Sequence, residues 1–183
     1  ADTWMKMGQP QKFHLVECGA GRGTLMADAL RATKNVSGFH EVVHLHLVEI
    51  SPVLKAKQKG ALQAYNPTWH SDLESLPTDS PLFIIGNEFL DALPVRQFVL
   101  SDTGWLEKVV KIDINDTLRI YEIEVNVEAK NLLPNLLIPP KKGDHLEVSL
   151  EQNDFINKVS KIILNQSGSV LFIDYGFNHN IAG

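Results

Sequence analysis

The chain has one cysteine, Cys18, in 183 residues. No internal disulfide can form, and so little thiol fits a reducing compartment. Basic excess is also lacking: 17 Lys and Arg stand against 22 Asp and Glu, a net charge of −5. That argues against a general nucleic-acid binder, which needs a basic face to neutralise phosphates. No apolar run approaches the ~20 residues that a membrane-spanning helix requires. Internal repeats and low-complexity tracts are missing, and Ala1-Asp2-Thr3-Trp4 lacks the basic-then-apolar order of a secretory signal. What is present, 44% hydrophobic and 21% charged residues, is the composition of one globular domain with a real core.

The stretch Val16-Glu17-Cys18-Gly19-Ala20-Gly21-Arg22-Gly23-Thr24 organises the rest. Phe13 to Val16 is short, apolar and β-prone, and Leu25, Met26, Ala29 and Leu30 recur at helical spacing. The glycines therefore fall at a strand-to-helix turn, where backbone N–H groups point at a ligand and no Cβ keeps it away. A dinucleotide fingerprint has its third glycine three positions after the second, whereas Gly19, Gly21 and Gly23 alternate. Pyrophosphate is the weaker expectation. Cys18 reads as a small residue closing the strand rather than as a nucleophile.

A second strand is expected over His44–Ile50, followed by Ser51 as helix N-cap and Pro52 at the first helical position. His44 and His46 share one face of it and read as exposed or edge histidines. Trp4, Met5 and Met7 read as the end of a helix or loop on the sheet edge. Pro81–Gly86 is a nearly unbroken apolar run, as a buried parallel strand requires. From Val95 the period changes: Val95–Leu100, Trp105–Ile112 and Leu118–Val125 read as strands joined by tight turns, hence antiparallel. They form an inserted meander over about residues 95–142, which can cover a site and select a protein substrate, or else form a homodimer surface. Asn131–Pro140 is too proline-rich for a regular element, with its leucines against the meander. Gly143–Leu150 reads as the chain's return to the core. Phe155, Ile156, Val159, Ile162 and Ile163 then make one helical stripe, with Ser149 and Gln152 placed for a capping box. Val170–Gly176 is the last strand.

The ordered motifs Glu17-Cys18-Gly19-Ala20-Gly21-Arg22-Gly23-Thr24-Leu25-Met26-Ala27-Asp28, Leu47-Val48-Glu49-Ile50-Ser51-Pro52, Asn87-Glu88-Phe89-Leu90-Asp91-Ala92-Leu93-Pro94-Val95-Arg96-Gln97-Phe98 and Val170–Gly176 together resemble the MidA-like family of class I methyltransferases. That family includes a mitochondrial complex I assembly factor acting as a protein-arginine methyltransferase. The resemblance implies an α/β fold: a doubly wound Rossmann-like sheet with an antiparallel β insertion, cut at both ends, because the family domain has a longer front and two further strands. It implies S-adenosyl-L-methionine as cofactor and a protein substrate, with no metal. The compartment is the cytoplasm for a bacterial chain and the mitochondrial matrix for a eukaryotic one.

On this reading Gly19, Gly21 and Gly23 shape the cofactor loop, with Thr24 and Ser51 on the same side. Glu17 pairs with the ammonium of the methionine moiety. Glu49, 26 residues after Gly23, takes the ribose hydroxyls, and Asp72 with Leu73 takes the adenine. A surface turn Asp with a core Leu is the other reading of that pair. Asn87, Glu88 and Asp91 face the acceptor; carboxylates three apart meet on one side of a helical turn and suit a guanidinium, or else cap a helix start. Asp174 and Tyr175 either line the substrate side or cap the next turn. Arg22 meets the cofactor carboxylate or points to solvent. Two rival readings differ in class: a scaffold that binds the cofactor without catalysis, and a nucleotide-dependent oxidoreductase.

Overall fold

The computed structural model describes residues 1–175; Gly176, expected to end the last strand, lies outside them. In chain order the first elements are α1 (Asp2–Lys6), β1 (Phe13–Cys18), α2 (Thr24–Ala32), α3 (Phe39–Val42), β2 (Val43–Val48), α4 (Pro52–Leu62), β3 (Thr68–His70) and β4 (Leu82–Asn87). There follow β5 (Arg96–Ser101), β6 (Gly104–Ile112), β7 (Leu118–Glu124), α5 (Val127–Lys130), β8 (His145–Val148), α6 (Leu150–Gln166) and β9 (Gly168–Ile173). The chain divides into two units, one of Ala1–Ala92 with Phe155–Asp174 and one built on Leu93–Asp154.

The first unit carries a parallel sheet in the order β3-β2-β1-β4-β9. β1 is buried at all six positions, so its apolar residues do not alternate with exposed ones, and its two polar residues, His14 and Glu17, are buried as well. Phe13 and Leu15 enter one core cluster with Met26, Leu30, Phe39, Leu47 and Leu62, while Val16 and Cys18 enter another with Leu82, Ile84 and Val159. Trp4 is buried in the first cluster and edge-on to Phe39, so the first helix packs into the core rather than at the sheet edge. Burial, with Glu17 next in effect, pushes the Cys18 thiol up to about 12, which keeps it inert. From β1 the chain adds β2 and β3 on one side, then crosses to place β4 on the other. The strand order therefore reverses beside the C-terminal end of β1, where open α/β sheets bind ligands.

The second unit is an antiparallel sheet in the order β7-β6-β5-β8. Phe98, Val125, Ala129 and Leu146 form its core, with Leu133 and Leu136 packed against them. Arg96 makes a fork to Glu107, Nε to Oε1 at 2.7 Å and Nη2 to Oε2 at 2.8 Å. The segment Gly143–Leu150 does not return the chain to the parallel sheet: β8 pairs with β5, because Leu146 has its burial partner in Phe98. Ser149 Oγ accepts from Gln152 N at 3.0 Å, the serine half of the expected capping box, and donates to Pro94 O at 2.7 Å.

The histidines correct the sequence reading. His44 is exposed but His46 is buried, because β2 is an inner strand and its neighbours bring two further histidines to the same place. Asp79 Oδ1, His14, His46, His70 and Ser75 Oγ form a continuous chain: 2.8 Å to His14 Nε2, 2.9 Å from His14 Nδ1 to His46 Nε2, 2.9 Å from His46 Nδ1 to His70 Nε2, and 3.1 Å from His70 Nδ1 to Ser75 Oγ. The Lys12 ammonium, and then His14, hold the Asp79 carboxyl well below the usual carboxylate range. An ionised Asp79 only accepts, so it fixes the proton on His14 Nε2 and thereby the tautomer of every ring after it. A neutral imidazole has one donor and one acceptor, and the chain uses both on each ring. An added proton has no place in it, and burial, then the neighbouring rings, lower the His46 pKa from 6.5 to about 4.

Since the folded value lies below the unfolded one, the chain's contribution to stability is whole above about pH 6.5 and is lost as pH falls through about 4. Nitrogen NMR should find His46 neutral, protonated at Nε2 and titrating near 4; a midpoint at its ordinary value would contradict the ladder.

Candidate active site

At the reversal point the three alternating glycines all adopt left-handed backbone, with φ of 67°, 54° and 80° at Gly19, Gly21 and Gly23. Only glycine takes this geometry repeatedly without steric cost. A Cβ at Gly19 would also lie 2.7 Å from the ring of Phe89, in the segment after β4. Gly23 is the N-cap of α2 and offers no side-chain cap, so the first-turn N–H groups of that helix are left for a ligand. Thr24 and Arg22 beside it are exposed.

Glu17, near the end of β1, is only 3% exposed, and its Oε2 is a buried atom without a hydrogen-bond partner among the described residues. Burial pushes its carboxyl up to about 7. A polar atom held this way costs stability unless something binds it, and a cationic group at the mouth of the glycine loop would satisfy it. Glu49, just beyond β2, is also buried. Its Oε1 accepts from Ser51 N at 2.8 Å and its Oε2 from Gln58 Nε2 at 3.1 Å. The Ser51 hydroxyl caps α4, accepting from Leu54 N at 3.3 Å, so its contribution at this site is the backbone N–H that holds Glu49. Gln58 was not singled out from sequence. The available signal was an amide at the middle of the spacing Leu54, Gln58, Leu62, where a core-facing helix stripe calls for an apolar residue.

Asp72 is exposed and engaged within its own turn, Oδ1 accepting from Ser75 N and Oδ2 from Ser71 Oγ, both at 2.9 Å. Those bonds lower its pKa. Leu73 is 5% exposed, in the core cluster with Leu76 and Val159. Asp72 thus caps its own turn, and Leu73 reaches the core beside it.

After β4, Asn87 and Glu88 are exposed. Glu88 takes a left-handed φ of 52°, and its N–H donates to Ile173 O at 2.8 Å. The expected helical turn does not contain both carboxylates: the short 3₁₀ turn is Leu90–Ala92, with Glu88 outside it. The unusual backbone of Glu88 brings it to Asp91 instead, and Asp174 at the end of β9 joins them. One carboxylate oxygen from each of the three lies within 4.8 Å of the others. Asp174 Oδ2 accepts from Asp91 N at 3.3 Å, a cap that ties β9 to the segment after β4. Desolvation by the atoms beside it, then Asp174 and Asp91, raises the Glu88 pKa. Such a cluster of carboxylates attracts a cation.

Residues 1–182 match the family described as "Putative S-adenosyl-L-methionine-dependent methyltransferase". The chain belongs to this methyltransferase family. Among curated proteins it is similar to the mitochondrial protein arginine methyltransferase NDUFAF7 of Xenopus tropicalis, at 32% identity over 94% of this chain and 45% of that protein. The human protein of the same name is 30% identical, over 94% and 44%. The chain thus spans less than half the length of the curated relatives it matches. A Burkholderia thailandensis structure with S-adenosyl-homocysteine bound superposes with a TM-score of 0.72 at 27% identity, covering 96% of this chain and 44% of that one. A second structure from that organism gives 0.73 at 26% identity, covering 97% and 47%. The expected fold, a parallel α/β sheet with a separate antiparallel sheet, and the expected cofactor agree with these relatives. The buried Glu17 Oε2 suits a ligand with an ammonium group, and at Gly21 nothing lies within 4 Å of where a Cβ would stand.

The folded pKa of Glu17, about 7, lies above its ordinary 4.5, so its contribution in the ligand-free chain is whole below about pH 4.5 and lost as pH rises through about 7. The loss is on the order of 3 kcal/mol. Glu17→Gln should remove this slope, leaving the variant more stable than the parent at alkaline pH, while weakening S-adenosyl-homocysteine binding roughly tenfold. Urea unfolding across pH checks it; parallel profiles for parent and variant would contradict it.

Proposed function

We propose that this chain catalyses methyl transfer from S-adenosyl-L-methionine to an arginine nitrogen of a protein substrate. The observation that carries the proposal is the carboxylate cluster of Glu88, Asp91 and Asp174 beside the strand-order reversal. The names of the relatives support the arginine acceptor. A link to respiratory complex I assembly, and a mitochondrial-matrix or bacterial-cytoplasm setting, follow from the family resemblance alone.

In this proposal Glu17 holds the ammonium of the methionine moiety, Glu49 takes the ribose hydroxyls, and Asp72 and Leu73 border the adenine. Gly19, Gly21, Gly23 and Thr24 form the loop beneath, with Ser51 fixing Glu49. The cofactor supplies a sulfonium methyl, which is already activated and needs no metal. Asn87, Glu88 and Asp91 work on the acceptor: they grip the guanidinium, draw its positive charge toward themselves and leave one nitrogen lone pair aimed at the methyl. Positioning of that kind supplies much of the rate, and charge placed ahead of the reaction supplies more. The raised Glu88 pKa marks a carboxylate short of a cationic partner, which an arginine would provide.

The rival reading is a scaffold that binds the same cofactor without chemistry. Glu88→Gln and Asp91→Asn separate the two. With methyl-labelled S-adenosylmethionine and a pool of arginine-bearing peptides, each variant should lose about 100-fold or more in methylarginine formed and keep its affinity for S-adenosyl-homocysteine. Variants as active as the parent would remove the acceptor role of the cluster.

A further inference from the structure

Gln58 is fully buried in α4, yet it has no place in the roles described so far. Its side-chain amide is bonded through both N–H groups and its oxygen. Nε2 donates to Gly21 O at 3.0 Å and to Glu49 Oε2 at 3.1 Å, and Oε1 accepts from the indole N–H of Trp69 at 2.9 Å. An indole N–H only donates, so Trp69 fixes which end of the amide is oxygen and directs both N–H bonds at the glycine loop and Glu49. One residue thereby joins the loop after β1, the carboxylate after β2, helix α4 and strand β3. Gly23 lies against this helix, where a Cβ would lie 3.5 Å from Gln58 Cα and Cγ and 3.2 Å from Leu62 Cδ1.

The Glu49 carboxylate is held at both oxygens, by Ser51 N on Oε1 and Gln58 on Oε2. Rotating it breaks both bonds. Each oxygen still has lone-pair capacity for a second donor, so the carboxylate is oriented without being used up. We propose that Gln58 is a positioning residue that locks the Glu49 carboxylate toward the ribose hydroxyls and ties it to the carbonyl of Gly21. Leucine at 58 would release that carboxylate and strand the Trp69 N–H and the Gly21 carbonyl. Glutamate would set a second negative charge against Glu49. Among uncharged polar residues of this length, the amide alone has two donors and an acceptor on one planar group.

The role rests on Glu49 being the ribose partner, and the experiment separates the two. Calorimetry on the full chain compares S-adenosyl-homocysteine with its 2′-deoxy analogue. The wild-type protein should prefer the hydroxyl-bearing ligand roughly tenfold, the size of one hydrogen bond to a charged group. In Gln58→Leu that preference should fall to near one, with S-adenosyl-homocysteine losing affinity and the analogue changing little. Gln58→Met keeps the length of the side chain without its two donors and should lower the preference in the same way; it decides the matter alone if Gln58→Leu does not fold. A purely structural role would weaken both ligands in proportion, and an unchanged preference in the variants overturns the positioning role. A wild-type preference of one, or no binding at all, overturns the ribose reading and the positioning role with it.

Discussion

Strand β1 is hydrogen-bonded along both edges, to β2 and β4, and packed on both faces. Water has no access to it, so its residues must be apolar or explicitly satisfied. The chain meets that demand everywhere except at its end. There Glu17 is buried with one oxygen unpartnered, and the backbone then turns through three left-handed glycines. The most enclosed strand of the sheet thus terminates in the least satisfied carboxylate of the site. That is a poor arrangement for stability and a good one for holding a cation, the exchange commonly met at functional sites.

Two networks across β1, β2, β3 and α4 show how polar groups can be buried without such a deficit. The His14–His46–His70 ladder uses every ring nitrogen and is oriented from one end by Asp79. Gln58 does the same with an amide, using its oxygen and both hydrogens. Both networks run through the first unit and brace its strands and loops, and the second holds Glu49 in place with capacity on each oxygen for a further donor.

Much of this was legible in the sequence because it is local. The glycine loop, the Ser51-Pro52 helix start and the apolar runs of β1 and β4 follow from neighbours within a few residues. What escaped depends on partners far along the chain. His46 looked exposed because its spacing with His44 says nothing of His14 and His70 on adjacent strands. Gly143–Leu150 looked like a return to the core, and its pairing with β5 in the antiparallel sheet could not be seen, because a short strand carries no label for its partner. Asp174 joins Asp91 across 83 residues, and the left-handed backbone of Glu88, which brings that carboxylate into the cluster, is not encoded in its residue type. Gln58 was visible as a polar residue on an apolar stripe, but its partners Gly21, Glu49 and Trp69 were not.

The central claim is that the end of β1 and the glycine loop bind S-adenosylmethionine and its product rather than a dinucleotide. Calorimetric titration of the chain with S-adenosyl-homocysteine, alongside NAD and a Glu49→Ala variant, tests it most directly. The account predicts saturable, micromolar binding of S-adenosyl-homocysteine that the variant loses, and no binding of NAD. Binding of NAD in its place, or affinity for S-adenosyl-homocysteine that survives loss of Glu49, would contradict it.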